Sequence, residues 1–453
     1  MAETTLIIFG ATGDLTKRLL LPALGQLLDR EPDRQVHLVG VGRSERSDEQ
    51  WREEVRAAIG DEMGPTTRAL AAETVYRQGD LTKSDDLSRL FAEVKGRAVL
   101  YFAVPPAVTE KSCQALRDVD IPKDTILAPE KPFGTDEVSA HALNELLTEL
   151  VPEQQVFRVD HFLGQSVLLD LLSVRFANRM FEPVWSADDI ESVVIRYDED
   201  LGLEGRADFY ENTGALRDMV QSHLLQLLAV VAMDSPASLG ERDLRDAIGA
   251  ALRATRIWND DAVGNSRRAR YTAGTIDGKL LPSYIDEKGV DPSHHTETLA
   301  EATFEVRTAR WEGVPFTLRS GKALKPAVKE IALKFRPLRH LPPQFGDTVA
   351  PNVLRLRLRP DVMSVQLNIH DGTNPFAIKT IDFDTDLGSG SVRAYAEVLA
   401  GILDGDATLA VRADAAEQCW RIVQPVIDAW DQGKVPLADY PAGSAGPSTW
   451  PQR

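Results

Sequence analysis

TTLIIFGATGDLTKRLLLPALGQLL, residues Thr4–Leu28, carries the fold in outline. Thr4–Phe9 is an unbroken β-prone, apolar run that reads as a buried strand, and Leu15–Leu28 sets its leucines at helical spacing. Gly10-Ala-Thr-Gly13 joins them, so the segment predicts strand, tight glycine turn and helix in succession. Outward from it the grammar repeats. Val36–Val41 (VHLVGV), Ala98–Val104 (AVLYFAV) and Thr125–Ala128 read as further buried strands, and Gln155–Asp160 (QVFRVD) as the last. Asp85–Val94 and Glu110–Val119 read as helices between them. Strand alternating with helix implies parallel pairing through crossover helices, that is, an α/β Rossmann-type doubly wound parallel sheet.

After about residue 175 the pattern changes. Leu354, Leu356 and Leu358 alternate with Arg355, Arg357 and Arg359, and Met363, Val365, Leu367 and Ile369 repeat the period of two after Pro360-Asp361. Ser192–Arg196, Thr303–Thr308 and Glu330–Phe335 add strands. The expectation is a larger α+β domain with a mostly antiparallel sheet, one face covered by helices near 214–232, 391–404 and 412–431. The predicted division is residues 1–175 for dinucleotide binding, 176–440 for substrate and oligomerisation, and a loosely held tail at 441–453 (PAGSAGPSTWPQR).

Composition narrows the function classes. The 453 residues carry a net charge of −18, which opposes polyanionic partners such as nucleic acid or an anionic membrane surface. The two cysteines, Cys113 and Cys419, stand too far apart in sequence to suggest a disulfide framework or thiolate cluster. No signal peptide is visible, and the longest near-apolar run, Leu224–Met233, is about half of what a bilayer needs. A cytoplasmic enzyme with a small-molecule substrate is expected.

Gly10, Thr12, Gly13, Asp14 and Leu15 form the turn where backbone approaches a pyrophosphate, whose charge is met by the first N–H groups of the helix. Thr16 takes the position of a third glycine, so the fingerprint is incomplete. At the end of the second strand, where an NAD-specific site places a carboxylate, stand Arg43 and Ser44. They favour NADP, with NAD still possible; a solvated loop arginine is the plain alternative. Glu130-Lys131-Pro132-Phe133-Gly134 ends a strand, where open α/β sheets bind ligands, with Lys131 a donor to substrate hydroxyls or a mere surface cation. Asp160 and His161 follow another strand. His223 lies among the apolar positions Leu216, Met219, Val220, Leu224 and Leu227 and reads either as a core histidine or as a general base oriented by a carboxylate such as Asp160.

Taken together, GATGDL, EKPFG, RVDHFLG, GALRDMVQSHLLQ (from Gly214), LSVRFANRMF (Leu172–Phe181) and PFTLRSGKAL (Pro315–Leu324) resemble the glucose-6-phosphate dehydrogenases almost end to end. The resemblance implies hydride transfer from C1 of a β-pyranose to NADP, giving a δ-lactone, in a homodimer or homotetramer. It makes His223 the base, Asp160 its orienting partner and Lys131 a contact to sugar and nicotinamide. Ala103 and Pro105 join the cofactor contacts. Glu199, Asp218 and Lys322 bind sugar hydroxyls, while His161 and Gln165 face the 6-phosphate. No metal is required, because a hydride acceptor and one base suffice.

The departures cluster at that phosphate. The family's Asp-His-Tyr-Leu-Gly-Lys is here Asp160-His161-Phe162-Leu163-Gly164-Gln165, a lysine of the glycine-turn helix is Leu19, and a cation five residues after Lys322 is Ala327. Lost charge-assisted donors weigh against a dianion at about 1.5–3 kcal/mol each. Two substrates stay open: glucose 6-phosphate, with Lys325 or Lys329 assisting, and a sugar without the phosphate, such as free glucose. An inactive regulatory relative is a third class, opposed by the intact Lys131, Asp160, His161, Asp218 and His223. An acidic position at Asp198 argues against a second, structural NADP site, and the arginine face at 355–359 suits either an oligomer interface or solvent.

Overall fold

The computed structural model describes residues 3–358, 360–388 and 394–450. The chain forms two compact units, each assembled from separate stretches: Met1–Gln165, Pro236–Gly249 and Gly390–Trp420 in the first, Ser166–Ser235, Ala250–Ser389 and Arg421–Arg453 in the second.

The first unit holds the parallel sheet. Strands β1 (Thr4–Phe9), β2 (Val36–Gly42), β3 (Val75–Gln78), β4 (Arg97–Phe102) and β5 (Ile126–Pro129) lie in the order β3-β2-β1-β4-β5, with every pairing parallel. Strand order reverses between β1 and β4, the switch point at which such sheets open a crevice at their carboxyl ends. Every residue of β1 is buried. Leu6 and Ile8 enter one core and Ile7 and Phe9 the other, which is why this strand reads as continuously apolar rather than alternating. The predicted last strand runs parallel beside β5 through bridges Leu127↔Val156 and Glu130↔Val159.

One expectation is corrected here. The helix expected at 391–404 does not cover the second sheet. Its described part, Ala394–Asp404, packs Tyr395, Val398, Leu399, Ile402 and Leu403 into the first unit's core beside Leu24 and Leu27. Asp404 accepts from Arg34 at 2.8 Å, so an ion pair fixes the same docking. Residues 391–393 lie outside the described residues.

The second unit's strands are β6 (Ile190–Asp198), β7 (Thr255–Ile257), β8 (Ser266–Thr272), the separate hairpin β9 (Gly274–Ile276) and β10 (Lys279–Leu281), β11 (Leu299–Val306), β12 (Phe316–Gly321), β13 (Lys329–Phe335), β14 (Val353–Leu358), β15 (Asp361–His370), β16 (Ile378–Asp386) and β17 (Leu437–Pro441). The large sheet runs β16-β15-β14-β13-β6-β12-β11-β8-β17, with β7 beside β11. It is mostly antiparallel, as expected, with β6/β12 and β8/β17 the parallel pairs. Leu354, Leu356 and Leu358 are buried while Arg355 and Arg357 stay half-buried on the other face; Arg359 lies outside the described residues.

The closing segment is not loose up to Trp450. Tyr440 is buried, Lys325 N donates to Ser444 O at 2.9 Å, Gly443 N to Ala323 O at 2.8 Å, and Arg319 Nη2 to Ala445 O at 2.7 Å. Proline and glycine there shape turns that follow the edge of the sheet instead of releasing the chain. Residues 451–453 lie outside the described residues. Among the described residues no helix is long and apolar enough to cross a membrane.

Candidate active site

Each unit carries its own group of chemically active side chains. In the first, the glycine turn follows β1 directly. Gly10 has φ +83°, and a Cβ there would lie 2.2 Å from the Ala103 carbonyl oxygen, so only glycine lets the ends of β1 and β4 come this close. Gly13 N donates to Gly10 O at 2.9 Å and the Thr16 hydroxyl donates to the same oxygen at 3.1 Å. Thr16, which breaks the three-glycine pattern, thus braces the turn from inside. Asp14 and Leu15 head the helix, whose leading N–H groups have no acceptor of their own within it. Thr12 is half-buried, Pro105 exposed and Ala103 half-buried at the end of β4.

At the end of β2, Arg43 and Ser44 are exposed. Their backbone is pinned: Tyr76 Oη donates to Ser44 O at 2.8 Å and Gln78 Nε2 to Arg43 O at 2.9 Å, leaving both side chains unused by these contacts. Leu19 is 40% exposed.

At the end of β5 stand Glu130 and Lys131, and the Lys131–Pro132 bond is cis. The neighbouring segment, tied by Phe157 N to Leu127 O (2.8 Å) and Val159 N to Pro129 O (2.9 Å), delivers Asp160 and His161 to the same end of the sheet. Asp160 is buried, and its Oδ1 accepts from Phe162 N at 3.0 Å, capping the short turn His161–Gly164 that ends at half-buried Gln165. The His161 ring stacks on Tyr395, with centroids 5.1 Å apart and planes 11° from parallel. Glu130 accepts from Tyr101 Oη at 2.5 Å and also from Tyr395. Burial pushes its carboxyl up to about 7, against the pull of the two phenols and Lys131. Sequence reasoning had Glu130 inside the EKPFG element without a role; its tyrosine partners come from distant segments that no local signal links to it.

In the second unit, Glu199 and Lys322 form an ion pair at 2.8 Å, with the Lys322 ammonium 5.3 Å from the centre of the Tyr210 ring. Both come from neighbouring strand ends, just beyond β6 and β12. Asp218 and His223 lie on Leu216–Leu224, which is wound as a π-helix. In an α-helix, residues five apart point about 140° away from one another; the wider turn, with its i to i+5 bonding, reduces that angle. His223 is buried and Asp218 half-buried.

This helix is anchored at both ends. At its start, Leu216 N donates to Glu297 Oε1 at 2.9 Å, and Gly214, at φ +57°, leaves room for that carboxylate, which a Cβ would meet at 2.4 Å. At the far end of the continuation Leu225–Ala232, Arg175 donates to Val230 O and, at 2.7 Å, to Met233 O. Trp185 Nε1 donates to Val231 O at 2.9 Å and Trp311 Nε1 to Ala232 O at 2.7 Å. Four terminal carbonyls that a helix cannot satisfy itself are thereby capped. Burial lowers the Arg175 guanidinium to about 9, and it lies over the Phe176 and Trp185 rings. The LSVRFANRMF element therefore serves the His223 helix.

The cations near the altered phosphate positions are engaged. Lys325 pairs with Asp277, and the Lys329 ammonium sits 4.4 Å from the Tyr197 ring centre; Ala327 is exposed. Asp198 is buried and paired with Arg196 (2.5 Å) and Arg319 (3.0 Å).

Comparison with known proteins matches both halves of the chain to one family. Residues 7–169 match the profile described as "Glucose-6-phosphate dehydrogenase, NAD binding domain", and residues 172–452 the one described as "Glucose-6-phosphate dehydrogenase, C-terminal domain". A glucose-6-phosphate 1-dehydrogenase of Gluconobacter oxydans is 38% identical, covering 97% of this chain and 94% of its own. The crystal structure of glucose-6-phosphate 1-dehydrogenase from Mycobacterium avium superposes with a TM-score of 0.86 at 33% identity, over 98% of this chain and 95% of that one. A structure described as glucose-6-phosphate dehydrogenase in complex with its substrate glucose-6-phosphate gives 0.86 at 28% identity, over 99% and 96%. With both halves matched in order and nearly complete coverage of each relative, this chain belongs to the glucose-6-phosphate dehydrogenase family.

Proposed function

We propose that the chain oxidises the C1 hydroxyl of β-D-glucose 6-phosphate to the δ-lactone with NADP as oxidant. The observation that carries the reading is the near-complete match to glucose-6-phosphate 1-dehydrogenases, with Lys131, Asp160, His161, Asp218, Lys322 and His223 all present in the matching motifs. The Gly10 cradle, the helix start at Asp14 and the exposed side chains of Arg43 and Ser44 suit a dinucleotide carrying a 2′-phosphate. NADP, when bound, supplies the hydride acceptor.

In this reading His223 takes the C1 hydroxyl proton as the C1–H leaves with its electron pair. Asp160 holds the imidazole and favours the imidazolium that forms. Lys131, Glu199, Asp218 and Lys322 fix the pyranose by its hydroxyls, so that C1 is presented in one orientation. His161 and Gln165 face the phosphate. The proposed division remains a dinucleotide-binding part at 1–175, a substrate and oligomerisation part at 176–440 and a terminal segment at 441–453, working as a homodimer or homotetramer in the cytoplasm. Leu367, Ile369 and Phe383, apolar and 38–64% exposed on β15 and β16, favour self-association.

A second reading, oxidation of an unphosphorylated sugar, is favoured by one observation: Lys325 already has a carboxylate partner and Lys329 an aromatic one, so neither stands in for the cations missing at Leu19, Gln165 and Ala327. Steady-state formation of reduced nicotinamide with glucose 6-phosphate and with glucose, in parallel, separates the two. A higher kcat/KM for glucose would transfer the assignment to the free sugar, and no reduction with either would end the dehydrogenase reading.

A further inference from the structure

The chain of contacts from Glu130 to His161 has no part in the chemistry assigned above. Glu130 ends β5 and accepts from two phenols, Tyr101 Oη of β4 and Tyr395 of the helix Ala394–Asp404. Tyr101 is fully enclosed and Tyr395 is 7% exposed, so neither hydroxyl has water as an easy substitute. Tyr395 in turn lies flat against the His161 imidazole. A phenol that donates to a fixed carboxylate has its hydroxyl anchored, and since the O–H prefers the plane of its ring, the ring orientation is favoured with it; a ring stacked within 11° of it is oriented in turn.

We propose that Glu130 is a positioning residue for the sugar's anionic end, acting through Tyr395 to hold the ring of His161 in its binding orientation. The groups that face Glu130 are Tyr101 from β4, Tyr395 from the helix, Lys131 next in the chain and Asp160 from the adjoining segment. In the carboxylate form both oxygens accept, and both phenols are satisfied. Once protonated, the carboxyl keeps one full acceptor and gains a donor that competes with them, so the Tyr395 contact is the one that can be lost while Tyr101 stays enclosed. Because the Glu130 carboxyl is held near 7, this change falls within the working range of pH: the carboxylate arrangement is complete above that value and is lost as pH falls through it. Glu130→Gln imposes the one-acceptor state at every pH with almost no change of shape.

The inference rests on the proposed sugar-phosphate reading, and the test separates the two. Wild type, Glu130→Gln and Tyr395→Phe are compared by the pH dependence of KM and kcat for glucose 6-phosphate, and by the imidazole resonance of His161, assigned among the eight histidines with His161→Asn. Expected for Glu130→Gln is a rise in KM of about tenfold above pH 7, the equivalent of one charge-assisted hydrogen bond, with kcat changed far less. The acid-side rise of KM expected in the wild type should flatten. The sugar's own phosphate ionisation is common to all variants and cancels in the comparison. Tyr395→Phe keeps the stack and removes the donor, so it should reproduce the KM effect. The His161 resonance and its titration should shift in both variants. An unchanged His161 signal, or kcat falling while KM stays fixed, overturns the positioning role. A wild type that reduces no cofactor with glucose 6-phosphate overturns the substrate reading instead, and the His161 resonance still decides the Glu130 contact.

Discussion

Replacing Arg158 by methionine should destabilise the first unit by about 3 kcal/mol. Arg158 is completely buried, with Nη1 and Nη2 on the Glu153 carboxylate at 2.8 and 3.1 Å and Nε on Asn144 Oδ1 at 2.7 Å. Removing one partner of a buried pair costs about 3–5 kcal/mol, because the other charge is left without compensation. The lower end applies here. Glu153 keeps Ala413 N at 3.0 Å and Arg245 at 3.4 Å, and its side chain is 25% exposed, whereas Asn144 Oδ1 loses its guanidinium donor outright. Methionine follows the aliphatic stem of arginine, so the cavity term is small. For a folding unit of this size the loss corresponds to a fall in Tm of about 6–12 °C. Glu153→Gln should cost at least as much: burial already lowers the Arg158 pKa, and Glu153 is the main group that opposes that, with Glu417 a smaller one. Urea denaturation followed by far-UV circular dichroism, with thermal scans of both variants, measures the effect. A loss below about 1 kcal/mol in both would show that the cluster is dispensable and that the strand leading to Asp160 is held by its backbone pairing alone.

Other expectations concern the chemistry. His223→Asn should lower kcat by about two to four orders of magnitude, the usual worth of a general base, with cofactor binding unchanged by fluorescence titration; near-normal turnover would remove the assigned role. Arg43→Ala should raise KM for NADP by about tenfold to a hundredfold and leave NAD nearly untouched, since one charged hydrogen bond to the 2′-phosphate is lost; parallel changes for both cofactors would dismiss the contact. Gln165→Lys should raise kcat/KM for glucose 6-phosphate relative to glucose by about tenfold or more, and an unchanged ratio would mean that Gln165 does not face the phosphate.

The parallel sheet was legible from short-range pattern because a strand buried on both faces must be apolar at every position, and Thr4–Phe9 is. The alternation at Leu354–Leu358 was legible for the complementary reason: a strand with one covered face writes its period into the sequence. The misreadings were of a different kind. The helix ending at Asp404 has an apolar side that suits either sheet, and periodicity says which face is buried, never what buries it. The closing Pro441–Trp450 segment looked loose because proline and glycine mark turns, and only strand β17 and its neighbours show that those turns are tied to the sheet.

The same boundary runs through the candidate site. The glycine turn and the residue types available for the chemistry were readable from neighbours a few positions away, and the family from the order of such short motifs along the chain. The tertiary structure alone decided three things. It set the ionisation of Glu130, which depends on phenols 29 and 265 positions distant whose burial no local pattern encodes. It gave Arg175, an ordinary cation in sequence, the end of the His223 helix to cap. It also wound the segment carrying Asp218 and His223 as a π-helix, which the leucine spacing in the sequence does not distinguish from an α-helix. The contacts that hold this helical stretch, Glu297 at the start of the π segment and Arg175 at the end of the α-helix that continues it, come from far away in the chain.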